Sequence, residues 1–168
     1  MKVIDLLLDS LNATIPHVWR DVQHGKITDF VIDGHQYRAM VEDDFLPECN
    51  NCPLLRGKRI GHFSFGLQTS GSQYYQGSAN VHGMNTTKIF GIIKNMIKAR
   101  YEQDYDVIYF AAKDPARESL YGKIAMRIAI EAGGDYETFR TPSALVFVVA
   151  RFDLRPALSW LESNFNFN

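Results

Sequence analysis

Residues 106–123, DVIYFAAKDPARESLYGK, decide the fold, because two structural periods meet inside them. The run DVIYFAA (106–112) is short, continuous and apolar, the pattern of a strand buried on both faces of a sheet. Two residues on, Asp114 can cap a helix with its carboxylate, and Pro115 suits the first helical position, where its missing N–H costs nothing. The helix is expected to run to about Ala132 and to stop at Gly133-Gly134. Tyr121 lies on it, beside Leu120 and a turn before Ile124. That placement suits a ring packed on the sheet with its hydroxyl at the rim, and it leaves open whether Tyr121 stands over a reaction centre.

On the amino-terminal side of this stretch, Ile89, Ile92, Ile93, Met96, Ile97 and Tyr101 recur at helical spacing from Thr86 onward. They predict a central helix of about four turns. Before it, ITDFVIDGHQYRAMVE (27–42) reads as two strands joined at Asp33-Gly34, a dipeptide that supplies the positive φ angles of a tight hairpin turn. RIGHFSFGLQ (59–68) predicts a third strand, with Ile60, Phe63 and Phe65 as its apolar residues. In the polar segment 69–85, Gly71, Gly77 and Gly83 mark loop or bulge points and leave room for a short fourth strand near 74–82. On the carboxyl-terminal side, YETFRTP (136–142) and SALVFVVARF (143–152) predict a closing strand pair, and RPALSWLESNF (155–165) a short terminal helix. Val3, Leu6, Leu7 and Leu11 predict an amphipathic helix over 2–12, ending before Pro16. A meander followed by a β-α-β crossover is an α+β arrangement.

The chain of 168 residues is the size of one domain, and 46% apolar residues are enough for a proper core. No internal repeat or linker interrupts it. The formal net charge is −1, and the 18 basic side chains are scattered, which argues against nucleic acid as a partner. The opening MKVIDLLLDSL carries two aspartates and reads as neither a signal peptide nor a membrane span, so a cytoplasmic location without membrane contact is expected. Cys49 and Cys52 form a single C-x-x-C in a loop over 43–58, between Pro47 and Pro53. Loop thiols, half of a zinc site and a redox pair all stand as readings. His35 and His62 are the nearest candidates for further zinc ligands, but no second metal-binding spacing accompanies them, and no metal is expected.

Three stretches carry a resemblance: the hairpin VIDGHQY (31–37), the turn and helix VHGMNTTKIFGII (81–93), and IYFAAKDPARESLY (108–121). Over residues 26–152 the chain resembles the GNAT superfamily of acyl-CoA-dependent N-acyltransferases, and in particular a set of small phage-encoded GNAT-like proteins. The resemblance implies a mixed, mainly antiparallel central sheet with helices on both faces. It also implies acetyl-CoA or another acyl-CoA as the acyl donor, its pyrophosphate held by backbone amides at a helix amino terminus. The corresponding register here is Asn80, Val81, His82, Gly83, Met84 and Asn85, of which Gly83 alone matches the family's Q/R-x-x-G-x-G/A. Thr86, Thr87, Lys88 and Arg117 could add contacts to phosphate. The family's N-x-x-A-x-x-L-Y corresponds to Asp114, Arg117, Leu120 and Tyr121, which casts Tyr121 as the acid that protonates the departing thiolate. His82 and Glu42 are candidate bases by position.

Two functions follow as expectations. The first is N-acyl transfer to an amine of a small molecule or protein, with the thioester in the opening between the fourth strand (74–82) and the strand at DVIYFAA. The second is a GNAT fold without coenzyme binding, working in the host cytoplasm by contact with a host or virion protein through Tyr74 and Tyr75.

Overall fold

A computed structural model of the chain describes residues 13–44, 54–68, 75–76 and 86–164. The expected amino-terminal helix, the cysteine pair and most of the 69–85 segment lie outside these residues. The chain divides into two compact units, one of residues up to Glu42 with Phe63–Ile97, the other of Asp43–His62 with the chain from Lys98 onward.

The first unit contains a meander of β1 (Arg20–Val22), β2 (Gly25–Ile32) and the body of β3 (His35–Asp43), all antiparallel. The hairpin turn is as expected: Asp33 and Gly34 take φ of 50° and 80°, the doubly positive turn that matches the right-handed twist of the strands. Strand β1 was not foreseen. It is three exposed residues long, too short to show a period, and pairs with β2 through a two-residue turn. Gly25 starts β2 with φ 148°, and a Cβ there would stand 1.9 Å from the Val41 carbonyl oxygen, so the tight return requires glycine. Alternation puts Thr28, Phe30 and Ile32 of β2 on one face with Tyr37, Ala39 and Val41 of β3, all buried. Phe30 and Tyr37 stack directly across the ladder, 5.6 Å apart.

Strand β4 (Ile60–Gln68) contributes Phe63–Gln68 to this unit, where its last two residues pair antiparallel with β5 (Tyr75–Gln76). Helix α1 (Thr86–Asp104) begins here, with Ile89, Phe90, Ile92, Ile93, Met96 and Ile97 each no more than 2% exposed. Its 19 residues exceed the four turns expected by about one turn.

The second unit is built on β6 (Val107–Ala112), which runs parallel to Ile60–His62 on one side and antiparallel to β8 (Leu145–Ala150) on the other. Strand β7 (Asp135–Arg140) completes it, antiparallel to β8. On one face, Ile60, Val107, Tyr109, Val146, Val148 and Phe139 bury against Leu55 and against Leu154, Ala157 and Leu161 of a helical turn (Arg155–Ala157) and α3 (Leu158–Asn164). On the other face, Phe110 and Phe147 stack beneath α2 (Pro115–Ala132), which buries Tyr121, Ile124, Ala125 and Ile128. Within this unit, then, helices cover both faces of the sheet.

Helix α2 starts as its sequence requires. The extended Asp114 accepts from the Arg117 backbone N–H at 3.1 Å, and Pro115 occupies the first turn. It ends at Gly133, φ 78°. Gly134 follows with φ 151°, where a Cβ would sit 2.4 Å from the Ala150 carbonyl oxygen and 2.7 Å from the Tyr101 hydroxyl. The chain is thus α+β, with a mixed, mostly antiparallel sheet in which β4 and β6 pair in parallel.

Among the described residues, Ile60–His62 of β4 lie beside β6, and Tyr75–Gln76 pairs with Leu67–Gln68 at the other end of β4; the rest of the expected fourth strand lies outside the described residues. Ile60 also points to the opposite face from Phe63, since the strand period of two separates positions of unlike parity. The buried Ile60 serves the Tyr109 face of the second unit.

Candidate functional site

Of the residues singled out by sequence, the structure gathers Asp114, Arg117 and Tyr121. They lie three and four residues apart at the start of α2, so the helix sets them on one face. The carboxylate of Asp114 has two duties, capping the Arg117 backbone N–H and pairing with Arg117 Nε at 3.2 Å. The Arg117 side chain, 13% exposed, also hydrogen-bonds the phenol of Tyr121. A guanidinium only donates, so the Tyr121 oxygen accepts this bond.

Tyr121 is buried but for 7% of its surface. Its ring meets Phe110 edge-to-face at 5.6 Å and Phe147 at 6.3 Å, the arrangement in which a ring edge faces a ring's electron-rich surface. Burial pushes its phenol up to about 12; Arg117 opposes that rise by charge and hydrogen bond, and Asp114 adds to it. A Cβ at Gly122, next in sequence, would stand in ordinary van der Waals contact with Phe147, at 3.5 Å. The packing reading of Tyr121 is therefore met.

Glu42 is exposed near the end of β3, opposite Gly25. Lys88 lies 3.8 Å from the Asp33 carboxylate at the hairpin turn, both side chains about half exposed. Thr86 and Thr87 form the first turn of α1. Asn80, Val81, His82, Gly83, Met84 and Asn85 lie outside the described residues, as does Tyr74.

A second polar cluster was not foreseen. Strand β3 ends at Asp43, and the two successive carboxylates find different tyrosines: Tyr105 donates to Asp43 at 2.6 Å, and Tyr109 donates to Asp44. Burial raises the Tyr105 phenol, and the bond to Asp43 raises it further. His62 stacks on Tyr109 with centroids 4.7 Å apart and planes 4° from parallel. The signal was present in DVIYFAA, since a tyrosine inside a doubly buried run must find a partner for its hydroxyl. Which residue it would be could not be read from sequence, because the partner lies 65 positions away.

Within the second unit the parallel ladder covers Ile60↔Val107 to His62↔Tyr109. It stops there although β6 continues to Ala112, and α2 begins three residues after that. The backbone groups of β6 beyond Tyr109 are thus outside the β4 ladder on the side where it ended. Among the described residues, no helix is long and apolar enough to cross a membrane. Comparisons of the chain with protein-family models, with curated proteins and with solved structures each find no match.

Proposed function

We propose that this chain is a GNAT-type N-acyltransferase that uses an acyl-CoA and acts on an amine of a small molecule or protein. The observation that carries the reading is Tyr121, held in an aromatic pocket at the start of α2 with its oxygen accepting from Arg117. Two further features support it: the short parallel β4–β6 ladder, and the α+β order of strands and helices. An acyl thioester would supply an activated carbonyl and a thiolate leaving group.

The chain's own part is positioning and proton transfer. Backbone N–H groups of β6 beyond the ladder would polarise the carbonyl. As the amine nitrogen bonds to the carbonyl carbon and the carbon–sulfur bond breaks, Tyr121 gives its phenolic proton to sulfur. The proton released by the new amide nitrogen restores the phenol. A phenol with raised proton affinity stays protonated at neutral pH and is ready to donate.

Titration of the purified protein with acetyl-CoA by calorimetry tests this reading. Binding, with turnover lowered about 10²-fold or more in Tyr121→Phe, is the expected result. Absence of binding at millimolar acetyl-CoA sinks it and leaves the other reading, contact with a host or virion protein. Binding with unchanged turnover in Tyr121→Phe removes the tyrosine from the mechanism.

A further inference from the structure

Strand β7 ends the strand order of the sheet, so β8 pairs with one side of it and, among the described residues, the other side is an edge. Which backbone groups face that edge follows from the ladder. Just past the strand, the Thr141 N–H donates to the Ala144 carbonyl at 2.9 Å, and this pair continues the β7–β8 register. Hydrogen-bonded pairs alternate along an antiparallel ladder, so Phe139, Glu137 and Asp135 bond to β8, while Arg140, Thr138 and Tyr136 turn their N–H and C=O groups outward. The Arg151 N–H agrees: it donates to the Asp106 carbonyl, which assigns the odd residues of β8 to β6 and the even ones to β7. At the opposite end of the strand order, β1 is three residues long, a short edge that resists pairing. Strand β7 has six residues, contains neither lysine nor proline, and keeps its register without a bulge.

We propose that β7 is the docking edge for a second copy of this chain, the two β7 strands pairing antiparallel across a two-fold axis at Thr138. This goes beyond acyl transfer and does not rest on it. A two-fold axis normal to the sheet keeps each face on its own side, so opposing residues have the same parity. The sequence then selects one register. Centred on Glu137, each glutamate faces its own copy, and like charges directly opposite destabilise. Centred on Phe139, the outward Tyr136 falls opposite Pro142, which has no N–H to give. Centred on Thr138, Tyr136 faces the second copy's Arg140 and Thr138 faces Thr138, and each pair exchanges both hydrogen bonds. Paired threonines and a cation beside an aromatic ring are favourable neighbours. Glu118 of α2 already holds the Arg140 guanidinium on this face, at 3.0 and 3.2 Å, so little freedom is lost in meeting the ring. On the other face Glu137 meets the second copy's Phe139 and shares a groove with Arg155, whose charge offsets that of the glutamates.

Sedimentation of the full chain from about 1 µM to about 1 mM should show a mass rising with concentration from 19.1 kDa toward twice that value. Thr138→Pro removes the outward N–H at the axis, where an edge strand tolerates proline, and should raise the dimer dissociation constant at least about tenfold. Thr138→Lys, at an exposed position, sets two ammonium groups opposite each other and should weaken the dimer in the same direction. Far-UV circular dichroism checks that both variants are folded; if the proline variant is not, the lysine variant decides. The register is tested by oxidation in a Cys49→Ser, Cys52→Ser background. Thr138→Cys should crosslink two chains, since its opposed Cα atoms would be about 5.5 Å apart, within reach of a disulfide. Arg140→Cys, its copies about 13 Å apart, should not. A chain that stays monomeric over the whole range overturns the proposal and leaves the edge to a strand of another protein. A dimer unaffected by Thr138→Lys, or crosslinking as readily at 140 as at 138, overturns it too.

Discussion

Arg151 offers the most quantitative test of the second unit. It follows β8, and one of its terminal nitrogens donates to two carbonyl oxygens at the end of α1, Tyr101 at 3.0 Å and Glu102 at 3.1 Å. Its guanidinium also lies 4.8 Å from the centroid of the Tyr101 ring. The last four carbonyls of a helix lack intrahelical donors and carry the negative end of its dipole, so a cation placed there does three things together. Charge-assisted hydrogen bonds contribute about 1.5–3 kcal/mol net, a cation over an aromatic face about 0.5–1, and the dipole term about 0.3–1. These overlap, and the side chain is partly in water, so Arg151→Ala should cost about 2 kcal/mol. For a chain of this length that is a fall in Tm of about 4–8 °C. Urea unfolding followed by circular dichroism measures it, with the slope expected to stay constant. Arg151→Lys should recover less than half, because an ammonium lacks the planar fork. A loss below about 0.5 kcal/mol for the alanine variant would show that the helix end is satisfied by water and refute the reasoning.

Three other outcomes are expected. Thr28 is fully buried and its hydroxyl has no partner among the described residues, so Thr28→Val should raise stability by about 1 kcal/mol in the same urea assay. Gly134→Ala puts a Cβ into the Ala150 carbonyl at a strained φ, and should lower stability by at least about 2 kcal/mol while Gly133→Ala, which meets nothing within 4 Å, costs less. Asp153 is bound by Arg155 through several hydrogen bonds, which lower its carboxyl to about 2. Because its folded value lies below the unfolded one near 3.9, its contribution is present above about pH 4 and is lost as pH falls through about 2. Carboxyl-carbon NMR of Arg155→Met should show Asp153 titrating near its ordinary value.

Much of the fold could be read from local physics. The Asp33-Gly34 turn, the Asp114-Pro115 helix start and the Gly133-Gly134 stop each depend on the backbone preferences of one or two residues, so sequence suffices. The buried stripe of α1 and the doubly buried β6 were legible because a long apolar period leaves few alternatives. Strand β1 was missed because three exposed residues carry no period. The pairing of Ile60–His62 with β6 was not legible because strand pairing is a long-range choice.

The candidate site divides in the same way. That Asp114, Arg117 and Tyr121 share a helical face follows from their spacing of three and four, which any α-helix imposes. Only the packed structure decides that Phe110 and Phe147 stand edge-on to the tyrosine and that the partly buried Arg117 hydrogen-bonds its oxygen. The same holds for Asp44, which meets Tyr109 across 65 residues of chain. A side chain's reach along a helix is fixed by local geometry. What surrounds its polar end depends on segments brought together in folding, and the need to pair a buried hydroxyl states that a partner exists without naming it.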